Sequence, residues 1–132
     1  MSTCVAVIVD DESTAFEMRA VFLEMQSRYL LLEVENAVAL VRDPKGKVKV
    51  DTAVSLALAG ETIDAFWGVL EETPPGSSAL IVLFRNNIRL DMVLDSLKQF
   101  AGKAKVFRTS MSQDDENSLR EMLETSPQLR VA

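Results

Sequence analysis

The sequence predicts one α+β domain with a ferredoxin-like split βαβ plan, enlarged by an extra hairpin strand, an inserted helix and a C-terminal helix. Strand and helix patterns follow one another in the order strand, helix, strand, strand, helix, strand, helix, strand, helix. Two βαβ-like halves, over residues 4–41 and 79–109, flank a hairpin strand and a helix. The length of 132 residues fits a single domain over residues 1–132.

The first half begins with a strand and a helix. Residues 4–9 form an apolar, β-branched run, which is typical of a strand buried on both faces. Apolar residues at helical spacing predict an amphipathic helix over residues 12–27, with Thr14 and Glu17 as a capping box. Residues 30–41 then alternate as a long strand.

A hairpin and the inserted helix follow. The segment 42–47 contains Pro44 and Gly46, residues typical of a tight turn, so residues 48–52 are predicted to return as an antiparallel strand. Lys47 and Lys49, which alternate with the apolar residues here, are of the kind that protects a sheet edge. An apolar stripe at helical spacing predicts the inserted helix over residues 54–72.

The second half supplies two more strands and two more helices. Residues 79–84 form the second buried strand, and a helix is predicted from Asn86 to a stop at Gly102. A short strand over residues 105–109 precedes a C-terminal helix over 112–125. The long helices cover one sheet face, so the inserted helix, the last helix or a second subunit has to cover the other. A doubly wound α/β sheet is the alternative, but the hairpin forces antiparallel pairing.

Composition excludes several classes of function. The 14 basic residues against 20 acidic ones give a net charge of −6, which disfavours nucleic-acid binding. The absence of histidine and the single cysteine remove the usual zinc sites, His-dependent nucleophiles and an intrachain disulfide. We expect no cofactor and no metal. The opening residues lack a signal-peptide pattern, and Glu61 and Asp64 interrupt the most apolar stretch, so we expect a soluble, cytoplasmic protein.

Two groups of polar residues are the candidate ligand-binding sites. Asp10 and Asp11 lie where a strand runs into a helix, and carboxylates there could hold Mg²⁺ or Ca²⁺. The structural alternative is that the acids cap the helix. Arg108, Thr109 and Ser110 offer donors beside a helix N-terminus and could hold an anion. Their structural alternative is a strand end followed by an N-cap.

The predicted pairing also brings together charges that are distant in sequence. If the first strand runs antiparallel to the last core strand, Asp10 lies at the same sheet end as Lys103 and Lys105. A surface ion pair there is worth only about 0–1 kcal/mol. This juxtaposition therefore indicates no catalysis.

The inserted helix carries the predicted interface. Trp67 is the only tryptophan, and with Phe66 it either fills the chain's own core or anchors a subunit interface. Apolar residues outside the main stripe indicate more than one partner and favour self-association as a two-fold dimer. The predicted interface residues are Leu56, Ile63, Phe66, Trp67 and Leu70.

Five segments resemble a family of uncharacterised bacterial proteins, a domain of unknown function labelled predicted membrane proteins. They are Val9–Ala15, Ala37–Val48, Phe66–Gly68, Pro74–Leu80 and Arg108–Ser112. The resemblance extends over nearly the whole chain. It implies a ferredoxin-like α+β domain with no assigned activity.

One departure from that family concerns the membrane. Members of that family typically carry a long Gly/Ala-rich hydrophobic hairpin after the Phe-Trp-Gly motif. In this chain only Val69–Thr73 lies between that motif and Pro74. The element behind the membrane label is missing from this position, so the resemblance does not imply membrane insertion for this chain.

The sequence thus predicts a non-catalytic domain that forms a homodimer or higher oligomer. Its expected role is regulatory, scaffold or small-ligand-binding. One alternative is a small enzyme with a polar cleft near Asp10, Asp11 or Arg108, which would need converging polar groups. Another is peripheral membrane attachment through the helix at residues 54–70, which the acidic net charge disfavours at anionic lipid surfaces.

Overall fold

The structure is a computed structural model that describes residues 3–28, 34–52, 61–85 and 90–124. These residues form an α+β fold with a five-stranded antiparallel sheet and four α-helices. The elements in chain order are β1 (Thr3–Val9), α1 (Thr14–Arg28), β2 (Val34–Arg42), β3 (Val48–Thr52), α2 (Glu61–Glu72), β4 (Ser77–Phe84), α3 (Leu90–Leu97), a 3-10 turn (Lys98–Phe100), β5 (Ala104–Thr109) and α4 (Gln113–Glu124).

The strands are ordered β3-β2-β4-β1-β5, and every neighbouring pair is antiparallel. This pairing excludes the doubly wound alternative, in which the strands would be parallel. The predicted hairpin is confirmed, since β2 and β3 are neighbours. The predicted pairing of the first strand with the last is also confirmed: Val9 lies opposite Ala104, and Val5 lies opposite Thr109.

Three helices cover one face of the sheet. Alternate residues of β1, β4 and β5 point to this face and pack against α1, α3 and α4. Phe22 of α1 meets Phe84 of β4 edge to face, with 5.3 Å between ring centroids. The largest fully buried helical side chains on this face are Met18, Phe22, Leu97, Leu119 and Leu123.

The inserted helix covers the opposite face. Ala65 and Val69 of α2 are fully buried against the small and branched residues of β1 and β4 that point to that side. Of the three covers expected from the sequence, α2 therefore covers this face, whereas α4 joins the other. Cys4 is buried in the same cluster, where it packs as a small apolar side chain.

Several predicted boundaries fall on residues outside the described ranges. The predicted strand over 30–41 is observed from Val34, and the inserted helix is observed from Glu61. Residues 29–33, 53–60 and 86–89 lie outside the described part of the chain.

The start of α1 differs from the prediction. The helix begins at Thr14, and the carbonyl oxygen of Ser13 accepts from the N–H groups of Phe16 and Glu17. Ser13 is therefore the N-cap residue. The predicted capping box is wrong, because the Thr14 hydroxyl donates to Asp11 instead of accepting from the first turn.

The β2–β3 turn places a charged side chain over the end of α2. Gly46, at φ +89°, closes the turn by donating from its N–H to the Asp43 carbonyl (2.8 Å). Just before the turn, the Arg42 guanidinium donates to the carbonyls of Leu70 (2.7 Å) and Thr73 (2.9 Å). These are carbonyls at a helix C-terminus, where a cation is favourable. Arg42 thereby fixes the end of α2 to the sheet.

A glycine sets the distance between α2 and β5. A Cβ atom at Gly68 would lie 2.7 Å from Cε2 and 2.8 Å from Cζ of Phe107. Phe107 is half-buried and packs into the cluster beneath α2. Gly68 is therefore retained inside a helix because any side chain would displace this aromatic ring.

We predict that Gly68→Ala destabilises the protein. Alanine gains about 1 kcal/mol of helix propensity, but the clash with the Phe107 ring costs about 1–3 kcal/mol, so the free energy of unfolding falls or at best stays level. In a Phe107→Leu background the colliding ring atoms are absent, and the same substitution should cost less or become stabilising. Urea unfolding of the four proteins in this double-mutant cycle measures the difference. Equal costs in the two backgrounds would contradict the contact.

Candidate functional site

Asp11 is a helix cap. Its Oδ1 accepts from the N–H groups of Ser13 (2.9 Å) and Thr14 (2.7 Å), and its Oδ2 accepts from the Thr14 hydroxyl (2.6 Å). The hydrogen bond from the Thr14 side chain is the main cause that lowers the pKa of Asp11 from its ordinary value. The carboxylate oxygens are occupied by the chain itself, which agrees with the structural alternative for this residue.

A buried serine holds this cap against the sheet. Ser78 of β4 is fully buried, and its hydroxyl donates to the Asp11 carbonyl at 2.7 Å. The same hydroxyl accepts from the Ala15 N–H at 3.4 Å. The start of α1 is thus joined to a strand 63 or more residues away in sequence.

Asp10 lies in a different environment, at the rim of a cleft of about 480 Å³. The cleft is open to solvent and lies between the end of α2, the start of β5 and the end of α4. Its lining residues are Ile8, Asp10, Glu72, Pro74, Gly102, Lys103, Ala104, Lys105, Phe107 and Glu124. The predicted neighbourhood of Asp10, Lys103 and Lys105 is therefore confirmed.

The cleft carries charges of both signs. Three acids and two lysines line it, and within the described ranges no ion pair joins Asp10 to either lysine. Lys105 lies opposite Ile8 in the β1–β5 ladder and is exposed on the α2 side of the sheet. This arrangement can receive a small polar molecule bearing both charges, but it contains neither Asp11 nor Arg108.

Arg108, Thr109 and Ser110 lie at the other end of the sheet. Because β1 and β5 are antiparallel, Ser110 meets Cys4 at the start of β1: its N–H donates to the Cys4 carbonyl (3.0 Å), and its hydroxyl accepts from the Cys4 N–H (2.8 Å). Arg108 lies beside the Phe107 ring, 5.5 Å from the ring centroid. The structure does not bring this group together with Asp10 and Asp11.

Thr109 belongs to a network that the sequence reasoning missed. Its hydroxyl donates to Glu116 at 2.6 Å, and this bond is the main cause that lowers the pKa of Glu116. Glu116 and Glu124 both accept from the Arg120 guanidinium, at 3.1 and 3.2 Å. The spacing of four residues on a helix is the sequence signal that could have revealed the network.

The same network closes one edge of the sheet. The Val106 N–H donates to Glu124 (2.8 Å), and the Val106 carbonyl accepts from Arg120 (2.7 Å). Val106 belongs to the edge strand β5, whose outward backbone groups would otherwise face solvent or another strand. At Val106, two side chains of α4 replace the missing neighbouring strand.

The structure leaves a large aromatic side chain exposed on α2. Trp67 is 58% exposed, and its ring packs edge to face on that of Phe66, with 5.5 Å between centroids. Phe66 and Leu70 are half-buried against the core. We call these three residues the α2 outer surface. Of the other predicted interface residues, Leu56 and the side chain of Ile63 lie outside what the structure describes.

Metal binding has no support in the described part of the chain. Within it, no three Cys, Asp or Glu side chains gather into a group that could hold an ion. The cleft acids and the Asp11 cap are separate features.

A family model described as "Protein of unknown function (DUF1269)" matches residues 51–124, which is more than half of the chain. The chain belongs to the DUF1269 family. No curated protein and no solved structure matches it. The predicted resemblance to an uncharacterised family is confirmed, and the matched stretch contains three of the five segments that carried it: Phe66–Gly68, Pro74–Leu80 and Arg108–Ser112.

The match to DUF1269 runs from the end of β3 to the last residue of α4. It includes the cleft lysines, the α2 outer surface and the closed β5 edge, whereas Asp10 and Asp11 precede it. Among the helices within the described residues, none is long and apolar enough to cross a membrane.

We predict that Asp11→Ala lowers the free energy of unfolding by about 1 kcal/mol at pH 7, the usual cost of a lost N-terminal cap. The folded-state pKa of Asp11 lies below its ordinary value. Its contribution is therefore present above that value and is lost as the pH falls further through the folded-state pKa.

The difference between wild type and Asp11→Ala should accordingly shrink below about pH 4. Urea unfolding across this range measures it, with the neighbouring Asp10→Ala as control, which we expect to stay within about 0.5 kcal/mol of wild type. A pH-independent difference would contradict the assigned role of the carboxylate.

Proposed function

We propose that this DUF1269 protein is a non-catalytic cytoplasmic domain that works as a homodimer or higher oligomer, in a regulatory, scaffold or small-ligand-binding role. The proposal includes a ferredoxin-like core made of β1, β2, β4 and β5. Their order β2-β4-β1-β5, with α1 and α3 as crossovers on one face, supports that plan.

The observation that carries the proposal is the exposure of Trp67. Tryptophan is enriched among the residues that dominate binding energy at interfaces, and an aromatic side chain left 58% exposed has apolar area to bury. The half-buried Phe66 and Leu70 extend the apolar area beside it. The exposed ring does not fill the chain's own core among the described residues, which supports the interface possibility for Trp67.

The charges around the α2 outer surface predict how salt acts on this association. Asp64 and Glu71 are exposed on the same helix, and α2 carries no basic residue. Two copies meeting through α2 bring like charges near each other, and salt screens that repulsion. Association through this surface should therefore strengthen as ionic strength rises.

The cleft supports a small-ligand role better than a catalytic one. It gathers Asp10, Glu72 and Glu124 with Lys103 and Lys105. Among the described residues, the pKa values of Asp11 and Glu116 are lowered, and both shifts arise mainly from hydrogen bonds that hold helices in place. Neither residue lines the cleft, and we assign the cleft no reaction.

We predict that the wild-type mass rises with concentration in sedimentation equilibrium and that Trp67→Ser weakens association by about 30-fold, the usual scale for an interfacial tryptophan. Trp67 is the only tryptophan, so its emission should shift to the blue as copies associate. Gln99→Ser, an exposed polar change on the other side of the sheet, is the matched control.

A single-chain mass at the highest concentration that the protein tolerates would refute self-association. Co-sedimentation with anionic vesicles that is lost in Trp67→Ser would favour the peripheral membrane alternative instead.

A further inference from the structure

The two edges of the sheet differ. At the β5 edge, Glu124 and Arg120 satisfy the outward backbone groups of Val106. At the opposite edge, β3 pairs only with β2 among the strands that the structure describes. A strand edge with unpaired N–H and C=O groups is a template for a further strand. Among the described strands, the β3 edge is therefore the more open to strand addition, and its charged residues restrict which strand can add.

The hairpin fixes which backbone groups of β3 point outward. The Asp43 N–H donates to the Lys47 carbonyl at 2.9 Å, so the backbone of Lys47 faces the preceding strand. In an antiparallel ladder the backbone direction alternates along the strand, so Lys49 and Asp51 also bond to β2. The residues whose backbone groups point away from β2 are Val48, Val50 and Thr52.

We infer that a second copy of this chain adds to this edge, β3 antiparallel to β3, about a two-fold axis that passes through Val50. The inference rests on the proposed self-association and adds to it a second surface, distinct from the α2 outer surface. In this register Val50 forms a hydrogen-bonded pair with Val50 of the second copy. Lys49 comes opposite Asp51 of the second copy, and the symmetry repeats that pair.

Charge selects this register from its neighbours. Positions 49 and 51 form non-hydrogen-bonded pairs, the closer kind, with about 4.5 Å between Cα atoms. Opposite charges at such positions stabilise a sheet, and like charges destabilise it. An axis through Lys49 or Asp51 would place that residue opposite its own copy, and an axis through Val48 would place Lys49 opposite Lys47.

The side chain of Val50 supports the same contact. Val50 is 47% exposed, and with Trp67 it is one of the two large apolar side chains that are exposed among the described residues. It lies opposite the fully buried Leu40 in the β2–β3 ladder, so it stands on the α2 side of the sheet. Pairing about the two-fold axis brings the two exposed valines together.

A charge exchange tests the register. Lys49→Asp and Asp51→Lys each turn two symmetric opposite-charge pairs into like-charge pairs, so each should raise the dimer Kd by about 5- to 30-fold. The double variant K49D/D51K restores opposite charges and should return the Kd to within about 3-fold of wild type. Single variants without effect, or a double variant no better than the singles, would overturn the register.

Proline at position 50 tests the backbone contact. Because the Val50 N–H points away from β2, Val50→Pro removes an outward donor and leaves the β2–β3 ladder intact. We expect a native circular dichroism spectrum with loss of the dimer, whereas Val50→Thr, which keeps the N–H, should retain the dimer. A folded Val50→Pro that still dimerises like wild type would contradict the inference.

Amide hydrogen exchange on the unmodified protein gives a readout that needs no variant. The N–H groups of Val48, Val50 and Thr52 should become protected as concentration rises, while those of Lys49 and Asp51 are protected throughout. If the exchange rates of the outward N–H groups do not depend on protein concentration, the edge contact is overturned. This result holds even if Val50→Pro fails to fold.

The outcomes separate this inference from the proposed function. A wild-type protein that stays a single chain refutes both. If the protein associates and Trp67→Ser raises the dimer Kd, but no change at positions 49–51 alters the Kd, only the β3 contact is refuted.

Discussion

The central strands β1 and β4 are apolar on both faces, and this constraint determines the rest of the fold. Residues of β1 alternate between two separate clusters, one beneath α1, α3 and α4 and the other beneath α2. A sheet of this kind cannot leave either side in water, because burial of apolar area is the main favourable term in folding. The single helix α2 is therefore as necessary for burying the sheet as the three helices on the opposite face.

The way α2 is attached explains why its outer side remains apolar. Arg42 holds its C-terminal carbonyls, and Gly68 admits the Phe107 ring beneath it. These two contacts set the rotation of the helix, so Ala65 and Val69 point inward and Trp67 points out. The periodicity of the sequence shows which residues share a helical face, but the rotation depends on contacts with strands distant in sequence. That is why the pattern left two possibilities for Trp67.

The start of α1 shows the same limit at a smaller scale. Asp11, Ser13 and Thr14 all carry side chains that can cap a helix, so local sequence permits several caps. Ser78, buried in β4, fixes the Asp11 carbonyl. It thereby selects the observed arrangement, in which the Asp11 carboxylate accepts from the N–H groups of Ser13 and Thr14. By contrast, the β2–β3 turn depends on residues within a few positions of each other, and the sequence predicted it. The Ser112 cap of α4 is equally local.

The position of the cleft charges was predictable in part. Antiparallel pairing of β1 with β5 follows from the strand order, and it places Asp10 near the two lysines. Glu72 and Glu124 reach the cleft from the ends of two helices whose packing directions no local pattern specifies. The clamp of Arg120 on Val106 needs both the helix spacing and the edge position of β5, and only the spacing is visible in the sequence.

The closed β5 edge has a consequence for how far association can proceed. A protein with two open sheet edges can add copies at both ends without limit and grow into fibres. Here Glu124 and Arg120 of α4 occupy the backbone groups of Val106 at one end, which opposes the addition of a strand there. Pairing of strands between two copies would then stop after one round instead of propagating.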